Sequence, residues 1–406
     1  MRTLPAVSPA VPSGPLVSPS RFFRGWNRFW FSPADPTTLG LIRLCAGLAT
    51  FYVILLYTFD LQELLGKDAW INLETVTKLR LDAPVVIPPT DWMPPSPPPE
   101  PATLEEKQAI EAYRREWESD PRANYAKGNV VCSIWYHVTD PGWMLAIHIG
   151  ILTAIFLFAI GFCTRVTAVL TWLGVLSYIQ RAPTTLFGMD TMMNIALVYL
   201  MIGPSGAALS VDRLIERWWA RRQARREGRP PPPDLPPEPL VSANFVLRLM
   251  QIHFCIIYLA AGLSKLQGSM WWNGTAVWGT MANPSFNPLD VALYREFLIF
   301  LSKHRWLWEI VIGGGTVFTL VIEISLPFLI WNPRLRWLMI SGAVMLHTGI
   351  ALVMGLVGFG LFMLCLLLSF MPSAVVRRLL NDLAALVRPR LEARNLTMAE
   401  RLAVGH

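Results

Sequence analysis

Residues 251–274 read QIHFCIIYLAAGLSKLQGSMWWNG. The apolar run closes at Lys265, and a helix drawn through it stacks Gln251, Tyr258 and Lys265 on one face, because steps of seven return to nearly the same angle. A polar stripe that ends in an amine is costly on a helix otherwise suited to lipid, unless the amine is used or paired. A desolvated lysine is also one of the few side chains that burial can turn into a base near neutral pH. This stretch therefore sets both expectations for the chain: a membrane-embedded helical bundle, and chemistry centred on Lys265.

Composition agrees with the first. Of 406 residues, 53% are hydrophobic and 16% charged, against about a quarter charged in ordinary soluble domains. Several apolar runs reach the roughly 18–20 residues needed to cross a bilayer. The fold class expected is an all-α polytopic membrane protein. Eight spans are read, at about 37–59, 142–162, 166–184, 190–209, 243–264, 308–331, 335–353 and 355–371, forming one bundle. The third and fourth are the least marked, because Arg181 and Asp190 lie close to their ends. The opening residues are Pro/Ser-rich and lack an apolar core segment, so no cleavable signal peptide is expected. Cys45, Cys132, Cys163, Cys255 and Cys365 show no CxxC or Cys/His ligand spacing, which argues against a disulfide framework and against a metal site.

Short loops give an orientation. Residues 212–229, DRLIERWWARRQARREGR, carry seven arginines and read as cytoplasmic. Threading outward places both termini inside. Arg21, Arg24 and Arg28, then Arg334 and Arg336, and Arg377, Arg378, Arg388, Arg390 and Arg394 in the tail all fall on that same side. The chain then divides into a cytoplasmic segment 1–36, a transmembrane domain 37–371 and a basic cytoplasmic tail 372–406. Within the domain, 60–140 lies outside and 210–242 forms a basic, Pro-rich inner loop. The cluster RRQARREG is better matched to anionic lipid than to nucleic acid.

The outer segment is expected to be mostly irregular. It holds the proline tract WMPPSPPP at 92–99, which favours extended polyproline. A short helix follows in TLEEKQAIEAYRREWESD, where Thr103 and Glu106 have capping-box spacing and Ile110, Tyr113 and Trp117 share a face that should lie on the bundle. Tryptophans 26, 30, 271, 272, 306, 308, 331 and 337 cluster near span ends as an interfacial belt.

Each polar group inside the spans has a plain reading beside a functional one. Lys265, at an outer span end, either snorkels to the headgroups or serves as a base. Glu323 lies too deep to snorkel and must be protonated, paired or facing a wet cavity. Arg43 sits about 9 Å and Glu323 about 12 Å from the cytoplasmic end at 1.5 Å per residue, so an Arg43–Glu323 ion pair is the plain reading for both. His347 either joins two helices by a hydrogen bond or takes part in catalysis. Asp190 either caps its helix or orients a substrate. His253 faces elsewhere and reads as packing. Gly355, Gly358 and Gly360 suggest close helix packing, with a tight turn near Gly355.

The stretches NRFWFSPADPTTLGLIRLCAGL (27–48), GMDTMMNIALVYLMIGPSGAALSVD (188–212), QIHFCIIYLAAGLSKL followed by WWNG (251–274), and VIEISLPFLIW (321–331) followed by VMLHTG (344–349) together resemble the HTTM group of membrane domains. That group includes vitamin K-dependent gamma-carboxylase, and the likeness runs from about residue 24 to 371. It implies that Lys265 matches the lysine taken to deprotonate the hydroquinone of vitamin K. Oxygen then converts the anion to an epoxide and a strong base, which draws a γ-proton from a glutamate before carbon dioxide adds. The carboxylase also carries a large lumenal β-rich domain after its spans, where this sequence has only the basic segment 372–406. A catalytic histidine of the animal enzyme falls near FGMDTMMN, which offers Asp190 and no histidine.

The leading expectation is a quinol-binding membrane protein with gamma-glutamyl carboxylase-like or quinol epoxidase-like chemistry. Lys265 is its base, His347 and Asp190 its orienting groups, and Gln251, Tyr258 and Trp272 contact a vitamin K or menaquinol-type hydroquinone. A protein substrate at the outer face and membrane lipids are the other partners. The alternative is a non-enzymatic lipid- or quinone-binding bundle that assists assembly or transport. An ion-coupled transporter would want paired broken helices and repeat symmetry, and the sequence shows neither.

Overall fold

The computed structural model describes residues 19–82, 103–119, 131–183, 185–233, 235–283 and 291–385. The tract 92–99, residues Arg388, Arg390 and Arg394, and the side chains of Arg21 and Trp117 lie outside what is described. Among the described residues the chain is helical, apart from an isolated antiparallel bridge between Ala34 and Leu240. Five helices are long and apolar enough to cross a membrane: α2 (Thr37–Leu56), α6 (Pro141–Ile160), α10 (Val241–Lys265), α14 (Arg305–Leu329) and α15 (Arg336–Met354). The pair α16 (Val357–Phe370) and α17 (Ser373–Ala385), bent by 114°, makes a sixth if counted as one span. The other two expected spans are also helices, α7 (Thr164–Arg181) and the shorter α8 (Gly188–Ile202). The protein is thus a multi-pass α-helical membrane protein.

Local chemistry sets the helix boundaries. The Asp35 carboxylate accepts from the Thr37 backbone N–H (2.8 Å) and hydroxyl (2.5 Å) at the start of α2. Asp140 accepts from the Trp143 N–H at 3.0 Å with Pro141 in the first turn, as helix starts favour. Helix α6 ends at Gly161, whose φ of +74° suits a residue without a side chain. Helix α7 then borrows its cap from a distant residue. Asp212 accepts from the N–H groups of Cys163 and Thr164 at 2.7 and 2.8 Å. The turn between α15 and α16 falls at Gly355, with φ +67°, as the sequence suggested.

Tertiary bonds sort these boundaries into two ends. At one end, Ala34 bridges Leu240, Thr38 bonds Met371 and Ser373, and Asp35 pairs with Arg377. The N-terminal helix α1 (Pro19–Phe31) joins them, because Asn244 donates to the carbonyls of Phe29 and Trp30 at 2.8 and 3.0 Å. At the other end Thr58 meets His148 at 2.8 Å, and Ser133 donates to Ser177 O at 2.7 Å. Between the two ends runs one apolar core, with Leu39, Ala46, Phe158, Met250, Phe254, Leu326 and Leu366 among its buried members.

Two arginines with no more than 1% exposure hold the ends. Arg43 donates to Ala159 O (3.4 Å), Ser205 O (2.7 Å), Ala208 O (3.4 Å) and Leu209 O (2.5 Å), gathering the turn that follows α8. Arg181, at the last residue of α7, donates to Gly66 O (2.8 Å) and Ile71 O (3.2 Å). The expected Arg43–Glu323 ion pair is therefore absent. Depth counted from span ends does not carry over between helices, because the helices are staggered. Gly203 sits against Leu39 and Val246, whereas Glu323 lies against Gly262. At 1.5 Å per residue the two charges are roughly 15–20 Å apart along the bundle.

The expected outer helix is α5 (Leu104–Ser119). Its capping box forms: the Thr103 N–H donates to Glu106 Oε2 at 2.9 Å, and the Glu106 N–H to Thr103 Oγ1 at 3.3 Å. Those bonds hold the Glu106 carboxyl below its usual range. Of the expected face, Ile110 is half-buried and Tyr113 is 44% exposed, while the side chain of Trp117 lies outside what is described.

Replacing Arg43 tests this architecture. Arg43→Leu leaves several buried carbonyls without donors and should cost at least about 3 kcal/mol. Arg43→Lys keeps the charge but cannot reach across the same fan of carbonyls, so it should also melt early in detergent. A lysine variant that melts like the unaltered protein would show that the fan of bonds is dispensable.

Candidate functional site

The sequence Ala260-Ala261-Gly262 puts small residues one turn before Lys265, where α10 crosses α14. A Cβ on Gly262 would stand 2.8 Å from Ile324 Cγ1 and 3.3 Å from Glu323 Cβ, so only glycine allows this approach. The approach brings Lys265 to Glu323. Lys265 Nζ lies 2.9 Å from Oε1 and 2.8 Å from Oε2. The amine reaches both oxygens but is aimed as a donor at Oε1 alone, and Oε2 is buried without another partner. The Lys265 side chain keeps 25% exposure and that of Glu323 only 9%. The ammonium also stands 5.4 Å from the centroid of Trp271, a cation–π contact, and occupies the last turn of its helix, where the dipole favours positive charge.

The segment after Lys265 folds back over the pair. It forms α11 (Ser269–Trp272), α12 (Ala276–Met281) and α13 (Ala292–Lys303). Thr316 on α14 donates to Gly274 O at 3.3 Å and accepts from the Val277 N–H at 3.5 Å, tying this cap to the helix that carries Glu323. A second small apolar cluster of Met281, Leu301 and Ile312 closes it. Helix α14 makes one wide π-turn at Glu309–Gly313 beneath the cap, a local irregularity frequent at functional sites.

One further layer lies within electrostatic reach of the pair: Tyr258, on the same face of α10, whose hydroxyl meets His347 Nε2 at 2.7 Å. Phe254 and Phe359 flank the two rings. His347 is 3% exposed and its Nδ1 has no partner. This contact has two counterparts. Tyr178 meets His148 Nδ1 at 2.6 Å, and Tyr199 meets His253 Nδ1 at 2.8 Å. Every histidine on a described long apolar helix is thus bonded to a tyrosine of another helix. His347 is distinguished by a second nitrogen that is buried without a partner among the described residues and by its closeness to Lys265.

The structure brings together Lys265, Glu323, Tyr258 and His347 and leaves the other expected residues apart. Gln251 does share the face of Tyr258 and Lys265, but fourteen residues make roughly 21 Å of helix. It donates to Ser369 O at 2.6 Å, at the opposite end. Trp272 is 74% exposed and bonds Leu266 O at 2.7 Å, so its neighbour Trp271 meets the lysine instead. Asp190 accepts from the Phe187 N–H at 3.0 Å, closing the first turn of α8. It caps from the third helical position, with Phe187 rather than Asp190 as the N-cap residue. Trp271, Thr316 and Gly262 were missed as site residues. The run of small residues before Lys265 was the available signal for the last.

Cavities of about 580, 510 and 320 Å³ open elsewhere, beside Cys132 and Gly174, along Ile340–Gly349, and beside Asp212. Comparison with models of known protein families, with curated proteins and with solved structures finds no match to this chain.

A double-mutant cycle measures the central pair. Lys265→Met strands a buried carboxylate and Glu323→Met strands the ammonium, so each should lower stability, by up to about 3–5 kcal/mol for a well-buried pair. The double replacement should recover much of that loss. Additive losses in thermal melts would show that the two charges are not coupled.

Proposed function

We propose that the chain is an eight-span membrane protein, with both termini cytoplasmic, that receives a lipid-soluble quinol at the Lys265–Glu323 pair and removes a proton from it. One observation carries this reading: an ion pair held in an apolar bundle at a glycine-made helix crossing, backed by a buried Tyr–His hydrogen bond. Charged groups inside membrane domains are costly, and they mark functional sites more often than not.

The pair itself suggests the step. The hydroxyl of a hydroquinone approaches the exposed side of the lysine, and its O–H proton passes to the Glu323 carboxylate, directly or through the amine. The ammonium stays charged and pairs with the new quinol anion. The O–H bond breaks, a carboxyl O–H forms, and total charge is conserved. Lys265 then stabilises the anion while Glu323 stores the proton. Tyr258 and His347 hold the floor of the site. The epoxidation and glutamate carboxylation expected from the HTTM resemblance would need oxygen, carbon dioxide and a bound acceptor. Deprotonation of the quinol is the step the pair itself can perform.

A second reading is a non-enzymatic quinone- or lipid-binding bundle. It is favoured by the pairing of the Lys265 ammonium with Glu323, which opposes its acting as a free base, and by cavities that open elsewhere. The two readings separate in one experiment on purified protein in detergent, in which reduced vitamin K or menaquinol is supplied with oxygen. Oxygen-dependent consumption of the quinol, which proceeds from its anion, should fall about 10²–10³-fold in Lys265→Ala, the range of a lost group that stabilises developing negative charge. Quinol binding without turnover would establish the second reading, and equal turnover in the variant would remove Lys265 from the chemistry.

A further inference from the structure

Far from Lys265, a cavity of about 200 Å³ lies between α10, the turn from α14 to α15, and the end of α16. Arg248, Gln251, Trp331, Arg336 and Ser369 are among the residues that line it. Arg248 is fixed there. Its guanidinium carbon lies 4.4 Å from the Phe29 ring centroid and 5.8 Å from that of Trp331, and Nη1 donates to Gln251 Oε1 at 2.9 Å. Gln251 is itself oriented by its bond to Ser369 O. Arg336 donates through Nε to Ile330 O at 3.4 Å, and the rest of its fork has no partner among the described residues.

The charges here do not balance. The two guanidinium groups are close enough to feel each other's charge, and neither forms an ion pair with a carboxylate among the described residues. Asp35, whose carbonyl accepts from Ser373 at 3.0 Å beside the cavity, has its carboxylate paired to Arg377. Two buried donors in the lining have no partner among the described residues: Arg248 Nε, and the hydroxyl of Ser369, a residue only 3% exposed. Two facing cations and a spare hydroxyl, with no acid between them, form an incomplete site unless an anion with several acceptor oxygens joins them. The volume far exceeds the ~10–15 Å³ that admits one water.

We infer that this cavity binds a phosphate group, held by Arg248, Arg336 and Ser369. Its place supports phosphate over other anions. Helix α1, with aromatic residues and arginines, lies against α10 here, and the chain ends its last apolar helix at the same level. That is headgroup depth, where anionic lipids concentrate phosphate beside basic residues. The group can come from a lipid headgroup or from free phosphate.

The full-length protein distinguishes these sources. It is taken from nanodiscs of equimolar phosphatidylglycerol and phosphatidylcholine and analysed by native mass spectrometry. Preferential retention of phosphatidylglycerol, reduced roughly tenfold or more in Arg248→Gln and Arg336→Gln but kept in the exposed control Arg225→Gln, assigns the site to a lipid phosphate. No lipid preference, but a rise in melting temperature with sodium phosphate relative to sodium chloride at equal ionic strength, lost in the same variants, assigns it to free phosphate. Neither effect in the unaltered protein, or effects indifferent to both substitutions, overturns the proposal. Should the arginine variants fail to fold, Ser369→Ala decides, since it removes only an unpartnered hydroxyl. Weaker binding supports the site and unchanged binding overturns it.

Discussion

Everything in this bundle answers to the cost of leaving backbone carbonyls unbonded in an apolar medium. Helices meet that requirement internally, but chain that leaves a helix at membrane depth does not. Arg43 and Arg181 meet it at the two ends. Each is buried, and each turns a fan of donors toward carbonyls of a non-helical stretch, 205–209 in one case and 66–71 in the other. Arginine suits this role because its planar fork carries several donors and no acceptor. The stacking of the remaining helices follows from where these stretches are pinned. Gly161, beside the Arg43 guanidinium, has the left-handed backbone that lets α6 end there.

Apolar length is a local property, and each of the eight stretches read from the sequence contains a helix. Partnership is not local. The Arg43–Glu323 expectation assumed that helices begin at a common plane, whereas α10 has 25 residues and reaches well past the end of α14. The face of α10 was legible from the seven-residue spacing of Tyr258 and Lys265. The same spacing overextended the site to Gln251, because a shared face says nothing about a shared depth. Trp271 and Trp272 were indistinguishable by type. Only the turn geometry after Gly268 decides which ring meets the amine.

Three tyrosine–histidine bonds link pairs of helices in the bundle. An interhelical hydrogen bond of this kind serves specificity of packing more than bulk stability in membrane proteins. Against that background Lys265–Glu323 stands out. Full charges meet there between two long apolar helices, where a glycine has removed the side chain that would have kept the helices apart. Sequence composition pointed to the lysine, and the fold supplied the carboxylate that changes what the lysine can do.

The position of Arg43 carries a consequence for how the chain is made. Three of its acceptors, at 205, 208 and 209, lie just past α8, and the fourth, Ala159, lies near the end of α6, so α2 leaves the ribosome with a guanidinium whose partners are not yet made. The nearest acceptor is 116 residues away and the other three more than 160. The full fan of bonds closes only once α8 has followed α2, so a single buried side chain ties an early helix to a turn made much later.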